Sequence, residues 1–307
     1  MARLGSGLQS WALPVPLAEA LGYYKDEGLD VTMETLSSTS KGAQALVGGS
    51  VDVGAITYQE TIRMAAEGQR LRSFYVISKR GTNVLVVAPS ATEKIKRIED
   101  LKGQTIGVAS PGSANDLFTR KLLADRGIQQ ADFSTVAIGM SGTAIAAIES
   151  GRLVAGALSG GAHLELQRRH PGLRILVDGS TPEGMMQTYG SENYASGVLM
   201  ATQTWIDGHA EASRKLARAT LRAQRWMAAH TPEEILAKLP EDMRSKDQHA
   251  DLDILRWSAG WYTADGKMPA GAPEVVRRYM AATSDKIRDA KIDLAATWTD
   301  QYLEAAK

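Results

Sequence analysis

The chain has 307 residues and a mass of 33.0 kDa, a length that suits two domains better than one, since single cores usually reach about 100–200 residues. Hydrophobic side chains make up 44% and charged ones 23%, near the globular average, which excludes a disordered or fibrous chain. With 35 basic and 35 acidic side chains the net charge is zero, and there is no cysteine; nucleic acid and anionic membrane are thereby disfavoured as partners, and disulfides, thiolate metal sites and cysteine nucleophiles are excluded.

In chain order, the apolar stretch Arg3–Ser6 reads as a strand, followed by a helix from about Pro14 to Lys25 that stops near Gly28. A strand over Leu29–Thr35 leads to Ser38, Thr39 and Ser40, hydroxyl residues of the kind that cap a helix; this helix ends at Gly48 and Gly49 before a strand over Val51–Ile56. Asn83–Ala88 is a continuous apolar run stopped by Pro89. Thr105–Ala109 then opens a second series: a helix from about Ala114 to Arg126, a strand over Ser134–Ile138, a helix capped by Ser141 and ending near Gly151, and a strand over Leu153–Leu158. Gly197–Ala201 closely matches the apolar run before Pro89, and the remainder from Thr204 is helical by periodicity, with Pro232, Pro240 and Pro273 at starts or breaks.

The two series are copies at an offset of 102 residues. Ala45, Gly49, Gly54 and Ala55 recur as Ala147, Gly151, Gly156 and Ala157, and Leu46, Val51, Ile56 and Thr57 become Ile148, Leu153, Leu158 and Ser159. Alternating strands and helices predict an α/β protein of two lobes, each a mainly parallel sheet flanked by helices. The first lobe is assigned residues 1–84 and 202–307 and the second 85–201, with Leu85–Ala88 and Gly197–Ala201 as a paired two-strand hinge.

Ligands of such sheets bind beyond the carboxyl ends of the strands, where helix N-termini present free N–H groups. This places Gln9, Ser10, Trp11, Ser38, Thr39, Ser40, Thr57 and Tyr58 on the rim of the first lobe. On the second lobe it places Ser110, Gly112, Ser113, Asn115, Ser141, Thr143, Ser159, Gly160 and His163, with Tyr194 as a lid residue. The same hydroxyls are also ordinary helix caps, and a lone histidine near a helix start is more often a surface residue than a contact. Trp11 is expected as an open stacking wall facing the small Ser113. With Lys41 and Arg80 the only cations near the predicted strand ends, a monoanion or a neutral planar ligand is expected rather than a dianion.

Three segments carry a resemblance: PLAEALGYYKDEGLDVT (Pro16–Thr32), Gly48–Ala55, and Glu99–Val108 with the following Ala109–Ser113. They resemble the periplasmic solute-binding proteins of ABC importers for nitrate, aliphatic sulfonate, taurine and thiamine-pyrimidine precursors, over about the first two thirds of the chain. The resemblance implies a type II periplasmic-binding-protein fold, capture of a small polar or anionic molecule in the interlobe cleft, and delivery to a membrane permease. It also implies a monomer in the periplasm, with a signal peptide or lipid anchor that this sequence does not show, and no cofactor or metal.

The same fold resembles yeast-type thiamine-pyrimidine synthases and menaquinone-pathway lyases. The synthase pattern needs a cysteine-rich motif, which is missing. Gly5 and Gly7 lack the third glycine of a dinucleotide fingerprint, and His163, His170, His209, His230 and His249 form no i,i+4 metal pair. A binding protein is the reading; a pyrimidine-synthase-like or lyase-like enzyme is the alternative. The ligand-sensing domain of a transcription regulator, a third class, would need a helix-turn-helix arm.

Overall fold

A computed structural model describes residues 2–6, 10–36, 39–245 and 247–303. The chain separates into two compact units, residues 1–79 with 193–307, and residues 80–192. The first begins with β1 (Ala2–Ser6), a 3-10 turn (Ser10–Ala12), α1 (Pro14–Ala20), α2 (Tyr23–Asp26), β2 (Val31–Thr35), α3 (Thr39–Val47), β3 (Val53–Thr57), α4 (Tyr58–Ala66) and β4 (Leu71–Val76). The second holds β5 (Val84–Val87), β6 (Thr105–Val108), α5 (Ala114–Ala124), β7 (Ser134–Ala137), α6 (Ser141–Glu149), β8 (Ala155–Leu158), α7 (Ala162–Arg169), β9 (Ile175–Asp178) and α8 (Pro182–Tyr189). The chain then returns to the first unit as β10 (Gly197–Thr202), α9 (Gln203–Gly208), α10 (Ala210–Ala228), α11 (Pro232–Lys238), α12 (Gln248–Ser258), α13 (Ala272–Ala281) and α14 (Asp285–Asp289).

Each unit contains one five-stranded sheet, ordered β2-β1-β3-β10-β4 in the first and β7-β6-β8-β5-β9 in the second. The repeat is kept in the pairing itself: Arg3 opposes Thr32 and Leu4 opposes Val53, and 102 positions later Thr105 opposes Ser134 and Ile106 opposes Ala155. Side-chain packing repeats too. A Cβ on Gly5 would lie 2.9 Å from Leu36 and one on Gly107 2.7 Å from Ile138, the residue 102 places after Leu36. Glycine at these two strand positions lets an aliphatic side chain lie directly on the backbone.

Three expectations are corrected. The matched runs expected to pair as a hinge lie in different sheets: β5 pairs with β8 and β9, and β10 with β3 and β4, antiparallel in every case. They match because each is the fourth strand of its own sheet, buried on both faces and therefore continuously apolar. The units accordingly divide at 79/80 and 192/193, ahead of the positions assigned from sequence. The helix expected from Pro14 to Lys25 is two helices, because Gly22 adopts φ +75° and its N–H bonds the Glu19 carbonyl, closing α1.

The C-terminal helices cover the first unit. α10 packs on α1 and α2, and α13 and α14 pack on α4. Leu4, Val15, Tyr24, Val53, Phe74, Leu199 and Leu216 form one buried cluster, in which strands of the first sheet pack with α1, α2 and α10. Arg218 on α10 pairs with Glu27, and Arg222 with Asp26, tying α10 to the end of α2. No helix among the described residues is long and apolar enough to cross a membrane.

Candidate functional site

In the second unit, β6, β7 and β8 each run into a helix, so α5, α6 and α7 all begin at the carboxyl edge of one sheet. β6 lies between β7 and β8, and the chain leaves it first to one side and then to the other, the arrangement that opens a crevice at the strand ends. A narrow pocket of about 10 Å³ marks that place, lined by Ala109, Asn115, Gly139, Met140, Ala144, Ala157, Leu158, Ser159 and Ala162. Its walls are small and apolar. Two side chains, the Asn115 amide and the Ser159 hydroxyl, supply the polarity.

Asn115 is buried, at 4% exposure. Its Nδ2 donates to Oδ1 of Asn83 at 3.2 Å, leaving its own Oδ1 as an acceptor for a donor in the pocket. Asn83 stands just before β5, and its carbonyl accepts the Gly179 N–H at 2.9 Å, so the amide is held from two strands. Ser159 directly follows β8, half-buried, and precedes Gly160 and Gly161, both at positive φ, where the chain turns sharply into α7. Asn115 and Ser159 were expected on this rim. Asn83, Gly139 and Met140 were missed: an asparagine ahead of an apolar run has no periodicity to mark it, and Met140 reads as a core residue although it is half exposed.

The other candidates of this unit serve their own turns. Ser113 Oγ accepts the Asp116 N–H and caps α5, while the Gly112 N–H donates to Asp116 Oδ2 at 2.7 Å and the Ser110 N–H points to Ser113. Thr143 Oγ1 donates to the Met140 carbonyl at 2.7 Å, and Ser141, expected to precede α6 as its cap, is the helix's first residue. His163 is corrected more firmly. It is 1% exposed in the first turn of α7, and burial pushes its pKa down to about 4 against the pull of Asp178, so it is a neutral packed residue and not an open contact.

On the first unit, Gln9 and Ser38 lie outside the described residues. Ser10 opens the 3-10 turn. Trp11, expected as an open wall, is 5% exposed and packs with Ala12, Trp261 and Trp257 against the backbone of Gly197. Tyr58, likewise, is fully buried; its hydroxyl bonds Thr297, and burial raises its pKa above the usual phenol range. Tyr194 is 3% exposed and accepts a hydrogen bond from Gln59 Nε2 at 2.8 Å, a packed residue where a lid was expected. Thr57 ends β3 half-buried without capping α4.

Thr39 and Ser40 are in α3, not ahead of it, and both hydroxyls donate to Oε1 of Glu60, at 3.1 and 3.2 Å. Glu60 is buried and its other oxygen is paired with Arg63. This carboxylate sits in the first turn of α4, where its negative charge meets the positive end of the helix. Sequence reading passed over it because it follows Tyr58 on what looks like an ordinary amphipathic helix.

A solved structure from Bordetella bronchiseptica RB50 superposes on this chain with a TM-score of 0.84 and 28% identity, covering 99% of this chain and 96% of that one. The periplasmic aliphatic sulphonate binding protein of Escherichia coli gives 0.78 and 17%, covering 98% of each chain, a likeness of fold. Among curated proteins, the 4-amino-5-hydroxymethyl-2-methylpyrimidine phosphate synthase of Schizosaccharomyces pombe is 25% identical over 130 residues, which are 42% of this chain and only 36% of that protein. The family model described as NMT1/THI5 like matches residues 11–235; with a repeated α/β unit, two five-stranded sheets and a pocket at the strand ends, this chain belongs to the NMT1/THI5-like family.

Proposed function

We propose that the protein is the solute-binding component of an ABC importer, working in the periplasm, that captures a small polar or anionic organic molecule and hands it to a membrane permease. The observation that carries this reading is the strand-end pocket of the second unit, where three helix starts converge on apolar walls with one amide acceptor and one hydroxyl. Such a lining binds and orients. Among the described residues it holds no base beside its hydroxyl, since its polar side chains are Asn115 and Ser159 and the nearby His163 is packed away, and activating a hydroxyl for covalent chemistry requires one. That the likeness in fold extends to a sulphonate binding protein supports the same reading.

The lining also narrows the ligand. No cation is among the described residues that line the pocket. A neutral molecule or a monoanion with an apolar body and an N–H donor for Asn115 fits better than a dianion, which needs fixed cationic forks. The test is a thermal-shift screen of pyrimidine precursors, taurine, alkyl sulfonates, nitrate and small carboxylates. A ligand at about 100 times its dissociation constant stabilises the fold by about 2.7 kcal/mol, and Asn115→Ala is expected to weaken binding about tenfold. A screen without any shift counts against this reading. Conversion of a hit transfers the assignment to a pyrimidine-synthase-like enzyme, the alternative kept by the match to the yeast protein.

A further inference from the structure

A second pocket, of about 500 Å³, lies wholly within the first unit, between the end of α10, the start of α11, the end of α12 and the segment after it. Its volume is in the range of small-molecule sites. The floor is made by Met227, Ile235 and Leu255, which belong to the buried cluster with Leu13 and Leu17, and the ring of Tyr262 packs against the same cluster.

The polar groups on its wall are unevenly committed. Gln224 is used in full view of the core: its Oε1 accepts the Tyr75 hydroxyl and its Nε2 donates to the Ile77 carbonyl at 2.7 Å. The Thr263 hydroxyl donates to the Val76 carbonyl. His230 stacks on Trp226 at 3.8 Å, and its Nδ1–H donates to the Trp226 carbonyl at 2.7 Å, which leaves Nε2 as its open nitrogen. Lys79 is half-buried and Arg225 exposed, and neither side chain has an ion-pair or hydrogen-bond partner among the described residues. The neighbouring arginines of this unit are paired: Arg218 with Glu27, Arg222 with Asp26, Arg256 with Glu233. No carboxylate is among the described residues that line the pocket.

From an apolar floor whose uncommitted polar groups are two cations and one imidazole nitrogen, we infer a second ligand site in the first unit for an amphipathic organic monoanion. The carboxylate or sulfonate engages Lys79 and Arg225, and the aromatic or branched body lies on Met227, Ile235 and Leu255. This site is separate from the strand-end pocket, with no residue in common.

The probe is 1-naphthoate, titrated into protein carrying labelled methionine methyl groups, with the Met227 signal identified by its loss in Met227→Leu. A saturable shift of that signal is expected. Neutral 1-naphthamide should bind about tenfold or more weakly, as should 1-naphthoate to Lys79→Gln/Arg225→Gln, because charge-assisted bonds are lost; naphthalene-1-sulfonate tells whether either oxyanion serves. Asn115→Ala should leave the Met227 response unchanged. No shift at millimolar probe, equal affinity for the amide, or loss of the response in Asn115→Ala would each overturn the assignment, the last by placing the probe in the second unit.

Discussion

His163 is the residue whose ionisation the fold changes most usefully for experiment. Its pKa falls to about 4 in the folded chain, chiefly through burial, against about 6.5 when unfolded. The unfolded chain therefore binds the proton first, and stability contributed by the neutral ring is complete above about pH 6.5 and is lost as the pH falls toward 4. Denaturant unfolding at pH 7, 6 and 5 should show a loss reaching about 2 kcal/mol by pH 5, and His163→Gln should flatten that slope. An unchanged slope in the variant would assign the acid sensitivity to other groups. At this scale the sequence showed residue types but not directions. Asn115 and Ser159 were legible because they follow strands at the places where ligands usually bind, whereas Trp11, Tyr58 and His163, chosen by the same rule, and Tyr194, chosen as a lid in a polar loop, turn inward because a large ring gains more from burial than from a wet rim. Glu60 and Asn83 were illegible since their importance lies in partners distant along the chain, Thr39 and Ser40 for one and Asn115 for the other.

Between elements, the 3-10 turn after β1 is fastened to β10 through one close approach. A Cβ on Gly197 would lie 2.3 Å from the Trp11 ring and 3.0 Å from Ser78 Oγ, while the Gly197 N–H donates to that same oxygen at 3.0 Å. The indole is stiff and enclosed by Trp261, so it has nowhere to move. Gly197→Ala should cost about 1–3 kcal/mol by overpacking, and Trp11→Ala about 3–5 kcal/mol by leaving a cavity; combined, they should cost less than the sum, because the methyl then fills part of the space the ring vacated. Strict additivity in unfolding experiments would deny the contact. Elements were the most legible level of this fold: strand-helix alternation and the 102-residue offset predicted the repeated unit, and the structure keeps that offset down to the pairing register. What the pattern does not contain is which sheet an apolar run joins, since a strand buried on both faces reads the same wherever it is inserted. That is why β5 and β10, alike in sequence, were taken for partners of each other.

For the whole molecule, only the first sheet takes a strand from a separate stretch of the chain. The second unit is continuous from residue 80 to 192, whereas the first sheet needs β10, from beyond residue 196, between β3 and β4. A chain ending at Ser196 should therefore contain a folded second unit and an incomplete first one, and limited proteolysis should leave a fragment near residues 80–192; protection of β1 to β4 in that truncated chain would refute this. The missing strand sets a schedule during synthesis. At about 5–20 residues per second, the ribosome takes on the order of ten seconds to pass from β4 to β10, and throughout that interval β3 presents an open edge and β4 has no neighbour to hold it. An unpaired edge is a template for wrong pairing, so the first portion of the protein to be made is the last to be safe, and it is there that a nascent-chain chaperone has something to shield.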